Sequence, residues 1–133
     1  MKIKPKIGVV SCSGECCGLG TISRVATRLA LEGSDETVTI CLPLFLAGEE
    51  REHGFAKEHP TIAVDGCGKH CAYKAIAKYS KEPAAGVDVE ALFKNWGITP
   101  PKGRRILDGD GLKAAHRIAE LLSVKIEEIQ EAA

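Results

Sequence analysis

A three-layer α/β sandwich with a small, mainly parallel sheet and a C-terminal helix is the fold that this sequence predicts. Three observations carry it. Short apolar runs at 7–10, 38–40 and 61–64, rich in β-branched and small residues, do not alternate with polar ones, as in strands buried on both faces. Segments with apolar residues at helical spacing lie between the runs. Each run also meets a turn signal or a cysteine at its end: Cys12, Cys41-Leu42-Pro43 and Asp65-Gly66-Cys67.

Residues 7–12 read as the first strand, and the glycine-rich stretch 13–20 as a loop. Thr21 or Ser23 is the expected cap of a helix running through Val25, Ala26, Leu29, Ala30 and Leu31, which Gly33 stops. The second strand is expected over 37–42, closed by Pro43. Leu44-Phe45-Leu46-Ala47 is short and apolar, and Glu49 to Glu58 reads as a solvated helix with Phe55 turned inward. The third strand is 61–65. Ala72, Ala75, Ile76 and Tyr79 then share one helical face. A fourth strand is expected near 86–89 or 104–107. Val89, Leu92, Phe93 and Trp96 form a short amphipathic helix ended by Gly97. Asp108-Gly109-Asp110-Gly111 precedes a last helix with Leu112, Ala115, Ile118, Ala119, Leu122, Ile126 and Ile129 as its apolar positions. Helices between successive strands imply right-handed crossovers and a Rossmann-like arrangement.

A chain of 133 residues is long enough for one domain with a core of its own. It is read as a single unit over 1–133, with a core of about 5–80 and a helical extension of about 88–133. Eighteen basic and eighteen acidic residues cancel, which argues against nucleic acid or an anionic membrane surface as partner. No apolar stretch approaches the roughly 20 residues that span a bilayer, and no signal peptide is recognisable. A cytoplasmic location is expected. The last helix and Trp96 pack on the sheet or make a homodimer contact, core packing being the simpler reading. Nothing in the sequence names a protein partner.

Six cysteines in a reducing compartment favour metal binding or thiol chemistry over structural disulfides. Ligands of open parallel sheets gather beyond the carboxyl ends of the strands. Cys12, Cys41, Cys67 and Cys71 fall there, and four thiolates suit a tetrahedral zinc. Cys67 and Cys71 are one helical turn apart, where a helix N-terminus favours negative charge. The competing reading makes Cys41 core filler. Cys16 and Cys17 are candidate additional ligands, a redox pair, or holders of an iron–sulfur cluster, against the plain alternative of loop cysteines without a task.

Other signals are weaker. Gly14, Gly18 and Gly20 sit where backbone amides can cradle phosphate, but they match no nucleotide fingerprint. Cys12 with Gly18 lacks the arginine of a cysteine phosphatase loop. His70 is expected to face solvent, as are His53, His59 and His116. Asp65 reads as a turn former with a hydrogen bond toward the cysteines. Lys69 and Lys74 either offset the charge of a thiolate cluster or belong to a solvated face.

The ordered set Cys12-Ser13-Gly14, Cys41-Leu42-Pro43, Asp65-Gly66-Cys67 and Cys71-Ala72 resembles the DGC-domain family over about residues 5–80. The resemblance implies a zinc site with Cys12, Cys41, Cys67 and Cys71 as ligands. Two functional classes stay open: a metal-binding module with a structural or metal-handling role, and a thiol enzyme or carrier relaying sulfur, selenium or electrons through Cys16, Cys17 or a labile ligand of the same cluster. Neither a general acid–base pair nor a catalytic triad rises above background, so enzymatic activity is left undecided.

Overall fold

The computed structural model describes residues 5–12, 17–102 and 107–133. Four strands form one parallel sheet: β1 (Ile7–Ser11), β2 (Thr37–Thr39), β3 (Thr61–Asp65) and β4 (Ala85–Asp88), in the order β2-β1-β3-β4. The helices are α1 (Gly18–Glu32), α2 (Leu42–Leu46), α3 (Glu50–Glu58), α4 (Cys71–Tyr79), α5 (Val89–Trp96) and α6 (Gly109–Ala132). This is the expected α/β sandwich with a C-terminal helix, and every strand pair in the sheet is parallel.

Alternate side chains of each central strand feed two cores. Ile7 and Val9 of β1, with Ile62 and Val64 of β3, meet Ile22 and Ala26 of α1, Phe93 of α5, and Ile118 and Leu122 of α6. Val10 and Ala63 face the other way, toward Phe45 of α2, Ala56 of α3 and Ile76 of α4. The final two helices thus share the first core with α1, and Trp96 lies under the Arg117 guanidinium at 3.8 Å. Among the described residues no helix is long and apolar enough to cross a membrane.

Several local expectations are corrected. Helix α1 begins at Gly18 behind Cys17, so Thr21 and Ser23 lie inside it rather than capping it. The Ser23 hydroxyl turns back to the Gly20 carbonyl and that of Thr27 to the Ser23 carbonyl, which lets hydroxyl residues sit within a helix. β2 is three residues long, because Leu42 already starts α2 with Pro43 in its first turn, where a missing N–H costs nothing. Tyr79 and Leu112, expected to pack inward, are exposed. The fourth strand is Ala85–Asp88; of the rival stretch, 104–106 lies outside the described residues.

The strand order makes β1 and β3 the point from which the chain winds in both directions, and ligand sites of such sheets lie just beyond the carboxyl ends there. Pairing runs on past the strands at this edge. The Ile40 N–H donates to the Val9 carbonyl and the Cys12 N–H to the Val64 carbonyl, each at 3.0 Å.

Candidate metal and thiol site

That edge carries every candidate cysteine that the structure describes. Cys12 follows β1 directly and pairs with β3 through its backbone. Cys41 stands one residue past the bonded Ile40, at the start of α2, and Cys67 and Cys71 flank the turn from β3 into α4. Because β2, β1 and β3 are neighbours, Cys12 lies between Cys41 on one side and the Cys67 and Cys71 turn on the other. Cys17 precedes α1 and is half-buried against the first core. Cys16, the other candidate additional ligand, lies outside the described residues, as do Ser13 and Gly14. The five described cysteines are free thiols: Cys12, Cys17 and Cys67 half-buried, Cys41 and Cys71 exposed.

The β3 end is tightly framed. Both oxygens of the buried Asp65 carboxylate accept backbone N–H groups of α4, from Ala72 at 2.8 Å and Tyr73 at 3.1 Å. Asp65 thus caps the helix from seven residues upstream, satisfying donors that a helix start leaves open. Burial pushes its pKa up, against those two N–H groups, which pull it down. Gly66 has no room for a side chain, because a Cβ there would lie 2.5 Å from the Gly20 nitrogen and 2.7 Å from the Leu19 carbonyl carbon. Its own carbonyl accepts the Glu90 N–H at 3.1 Å, and the Gly68 N–H donates to the Glu90 carboxylate at 3.2 Å. The turn is thereby tied to both α1 and α5.

His70 is held here as well. Its backbone is left-handed (φ 53°), a conformation uncommon outside glycine. Its Nε2 meets Asp88 Oδ2 at 2.7 Å, so the ring is anchored to the end of β4 instead of standing free in solvent. Asp88 also accepts the Ala91 N–H and caps α5. Partial burial pushes the Asp88 carboxyl up, but the hydrogen bonds from His70 and the backbone outweigh it and hold the pKa below the usual carboxylate range. A cleft of about 290 Å³ opens beside this end, lined by Asp65, His70, Tyr73, Gly86, Val87 and Asp88. Sequence spacing could not reveal this pairing, since His70 and Asp88 are 18 residues apart and meet only through the β3–β4 pairing.

The β2 end is looser. Cys41 is linked by its N–H to Glu52 Oε2 of α3 at 2.9 Å. His53 is not a free surface residue: it stacks on Phe45 at 4.2 Å, and its Nε2 contacts the Phe45 carbonyl. His59 stacks on Phe55, while His116 is exposed as expected. Lys69 and Lys74 are exposed. Gly18 and Gly20 build the first turn of α1, where the Gly20 N–H bonds the Cys17 carbonyl.

The donors suit zinc chemically, since tetrahedral Cys₄ sets are common ligands for it, and their placement at one sheet edge suits a shared ion. The side chains are not gathered as they stand. Among the described residues, no three His, Cys, Asp or Glu side chains are grouped so as to hold a metal ion.

Comparison with known proteins bears on this arrangement. The family model of the DGC domain matches residues 8–100, most of the chain and some twenty residues beyond the stretch in which the motifs fall. The chain belongs to the DGC-domain family. No curated protein and no solved structure matches it.

Proposed function

We propose that this DGC-domain protein binds one zinc ion through Cys12, Cys41, Cys67 and Cys71 and serves in metal handling. The observation that carries the reading is the strand order. Three adjacent parallel strands deliver these four cysteines to a single edge, at the point where such sheets hold their ligands. Two hydrophobic cores pack on either side of the sheet, so an ion at its edge is not needed as a staple for a chain too small to build a core. Binding draws the exposed thiols of Cys41 and Cys71 toward Cys12 and Cys67.

A second reading rests on a different observation. Cys41 and Cys71 are exposed free thiols, accessible to a partner molecule, and this favours a thiol protein relaying electrons, sulfur or selenium. An iron–sulfur cluster on the same cysteines is the third outcome to separate.

One experiment distinguishes them. The protein is purified without oxygen, its visible spectrum recorded, and its metals measured by elemental mass spectrometry. Colourless protein with about one zinc per chain, lost in Cys67→Ser and in Cys41→Ser, supports the zinc site. Iron with sulfide and brown colour replaces it by a cluster. No metal, with every thiol titrating freely, overturns metal binding and leaves the relay.

A further inference from the structure

We infer that Ser23 is the positioning residue of Cys12, its hydroxyl donating to the Gly20 carbonyl while Cys12 is a thiol and turning to donate to the sulfur once Cys12 binds metal. The inference rests on the zinc reading above and adds to it a residue outside the cysteine set.

The argument is a count of protons. Ser23 is fully buried inside α1, and its Oγ lies 2.6 Å from the Gly20 carbonyl and 3.1 Å from Cys12 Sγ. A hydroxyl carries one proton. A carbonyl can only accept, so at 2.6 Å that proton belongs to the Ser23–Gly20 bond. Cys12 must then supply the proton of the second contact, S–H to Oγ. Metal binding removes it, because the ligand is the thiolate. A thiolate facing the lone pairs of Oγ would be repelled, whereas the same hydroxyl rotated about its C–O bond donates to the sulfur. No heavy atom needs to move. The Gly20 carbonyl keeps its ordinary acceptor role within the helix.

The exchange has a consequence for the metal. Four thiolates around a divalent zinc leave the cluster net negative, and a buried donor beside one sulfur offsets part of that charge. It also holds Cys12 in one rotamer facing α1, so the half-buried thiol is the fixed member of the set and the exposed Cys41 and Cys71 are the ones that close on it. A serine of purely structural use would be better replaced by alanine at a buried helical position, given the cost of burying a hydroxyl.

The test is an anaerobic cobalt(II) titration of the wild type, Ser23→Ala and Thr27→Val. Thr27 carries a buried hydroxyl bonded to the Ser23 carbonyl in the same helix, so its variant controls for structural damage. Expected are cobalt–thiolate charge-transfer bands in all three. Ser23→Ala should bind about 10-fold or more weakly, with its band at lower energy because the sulfur has lost a donor. Thr27→Val should match the wild type. Equal affinity and an unmoved band in Ser23→Ala overturn the inference while leaving the zinc site intact. A wild type that takes up neither cobalt nor zinc overturns both. Should Ser23→Ala fail to fold by circular dichroism, the wild type still decides. The Gly20 carbonyl carbon must shift between metal-free and zinc-loaded protein as the Ser23 hydroxyl lets go, and an unchanged resonance overturns the inference.

Discussion

The ends of β3 and β2 each present cysteine to the same edge of the sheet, and they are built to opposite standards. Beyond β3, Asp65 caps α4, Gly66 lies against the backbone of α1, and Glu90 holds both Gly66 and Gly68. His70 bonds to Asp88 across the neighbouring strand. Beyond the three-residue β2, on the sheet edge, Cys41 is exposed, and the hydrogen bond holding its backbone from outside the sheet and α2 comes from Glu52. The difference teaches that the site is asymmetric. One side is a rigid platform that costs backbone freedom and accepts a left-handed histidine. The other presents an exposed thiol from a residue flanked by Ile40 and Leu42 of the second core, so the Cys41 side chain is the part with room to swing.

The largest expected effect breaks the rigid side. Gly66→Ala puts a methyl group within 2.7 Å of three backbone atoms of α1, none of which can swing aside as a side chain can. A loss of about 3–5 kcal/mol is expected, a large part of the roughly 5–15 kcal/mol that holds an ordinary domain together. Urea denaturation of the metal-free protein measures it. A loss below 1 kcal/mol would show that the turn and α1 yield to each other, and the claim of a rigid platform would go with it.

Next comes Asp65→Asn, expected to cost about 1–3 kcal/mol. An amide offers one accepting oxygen where two backbone N–H groups of α4 need acceptors, and its NH₂ then faces a donor. The pH dependence adds a sign. Burial raises the folded pKa of Asp65, so its contribution is fully present below the unfolded value and declines as pH rises through the folded one. Asp88 has a lowered pKa, so its contribution is present above the unfolded value and lost as pH falls through the folded one. In stability curves over about pH 3–6, Asp65→Asn removes a falling component and Asp88→Asn a rising one. Curves that bend the same way would mean that one of the two environments is misread.

Zinc should narrow the contrast. If Cys41 closes on a fixed Cys12, loading must protect the backbone around Cys41 and the start of α2 more than the turn at Cys67. Amide hydrogen exchange reads this directly, with slowing of about 10-fold near 40–46, equivalent to 1.4 kcal/mol, and less near 66–70. Uniform protection would mean that the two ends are equally mobile before binding.

The sequence exposed this site through its cysteines but hid its frame. β1 and β3 were legible because apolar residues run unbroken from Ile7 to Val10 and from Ile62 to Val64, a pattern that only burial on both faces supports. The close of α5 was legible from local chemistry, with Gly97 left-handed there. The start of α1 was not, because Cys17 at the cap makes no side-chain bond and the serine and threonine signals lie inside the helix. Asp65 was read as a turn former, while its partners Ala72 and Tyr73 lie across a turn whose path no spacing rule gives. Ser23 beside Cys12 and Asp88 beside His70 are likewise products of packing, 11 and 18 residues apart in sequence. Thiol identity is written locally. What holds a thiol in place is written in the fold.

The smallest expected effect tests the looser side with the same substitution that should ruin the rigid one. Gly54 lies inside α3, and a Cβ there would meet nothing within 4 Å. Alanine should therefore contribute only its better helix propensity and its smaller unfolded-state entropy, a gain of about 0.5–1 kcal/mol, read as a rise in melting temperature. Because α3 carries Glu52, which holds the Cys41 backbone, a firmer α3 should leave metal affinity unchanged or slightly higher. A loss of stability on Gly54→Ala would mean that this helix needs its glycine for motion or close contact. The division into a fixed and a movable end would then have to be redrawn along α3 rather than at Cys41.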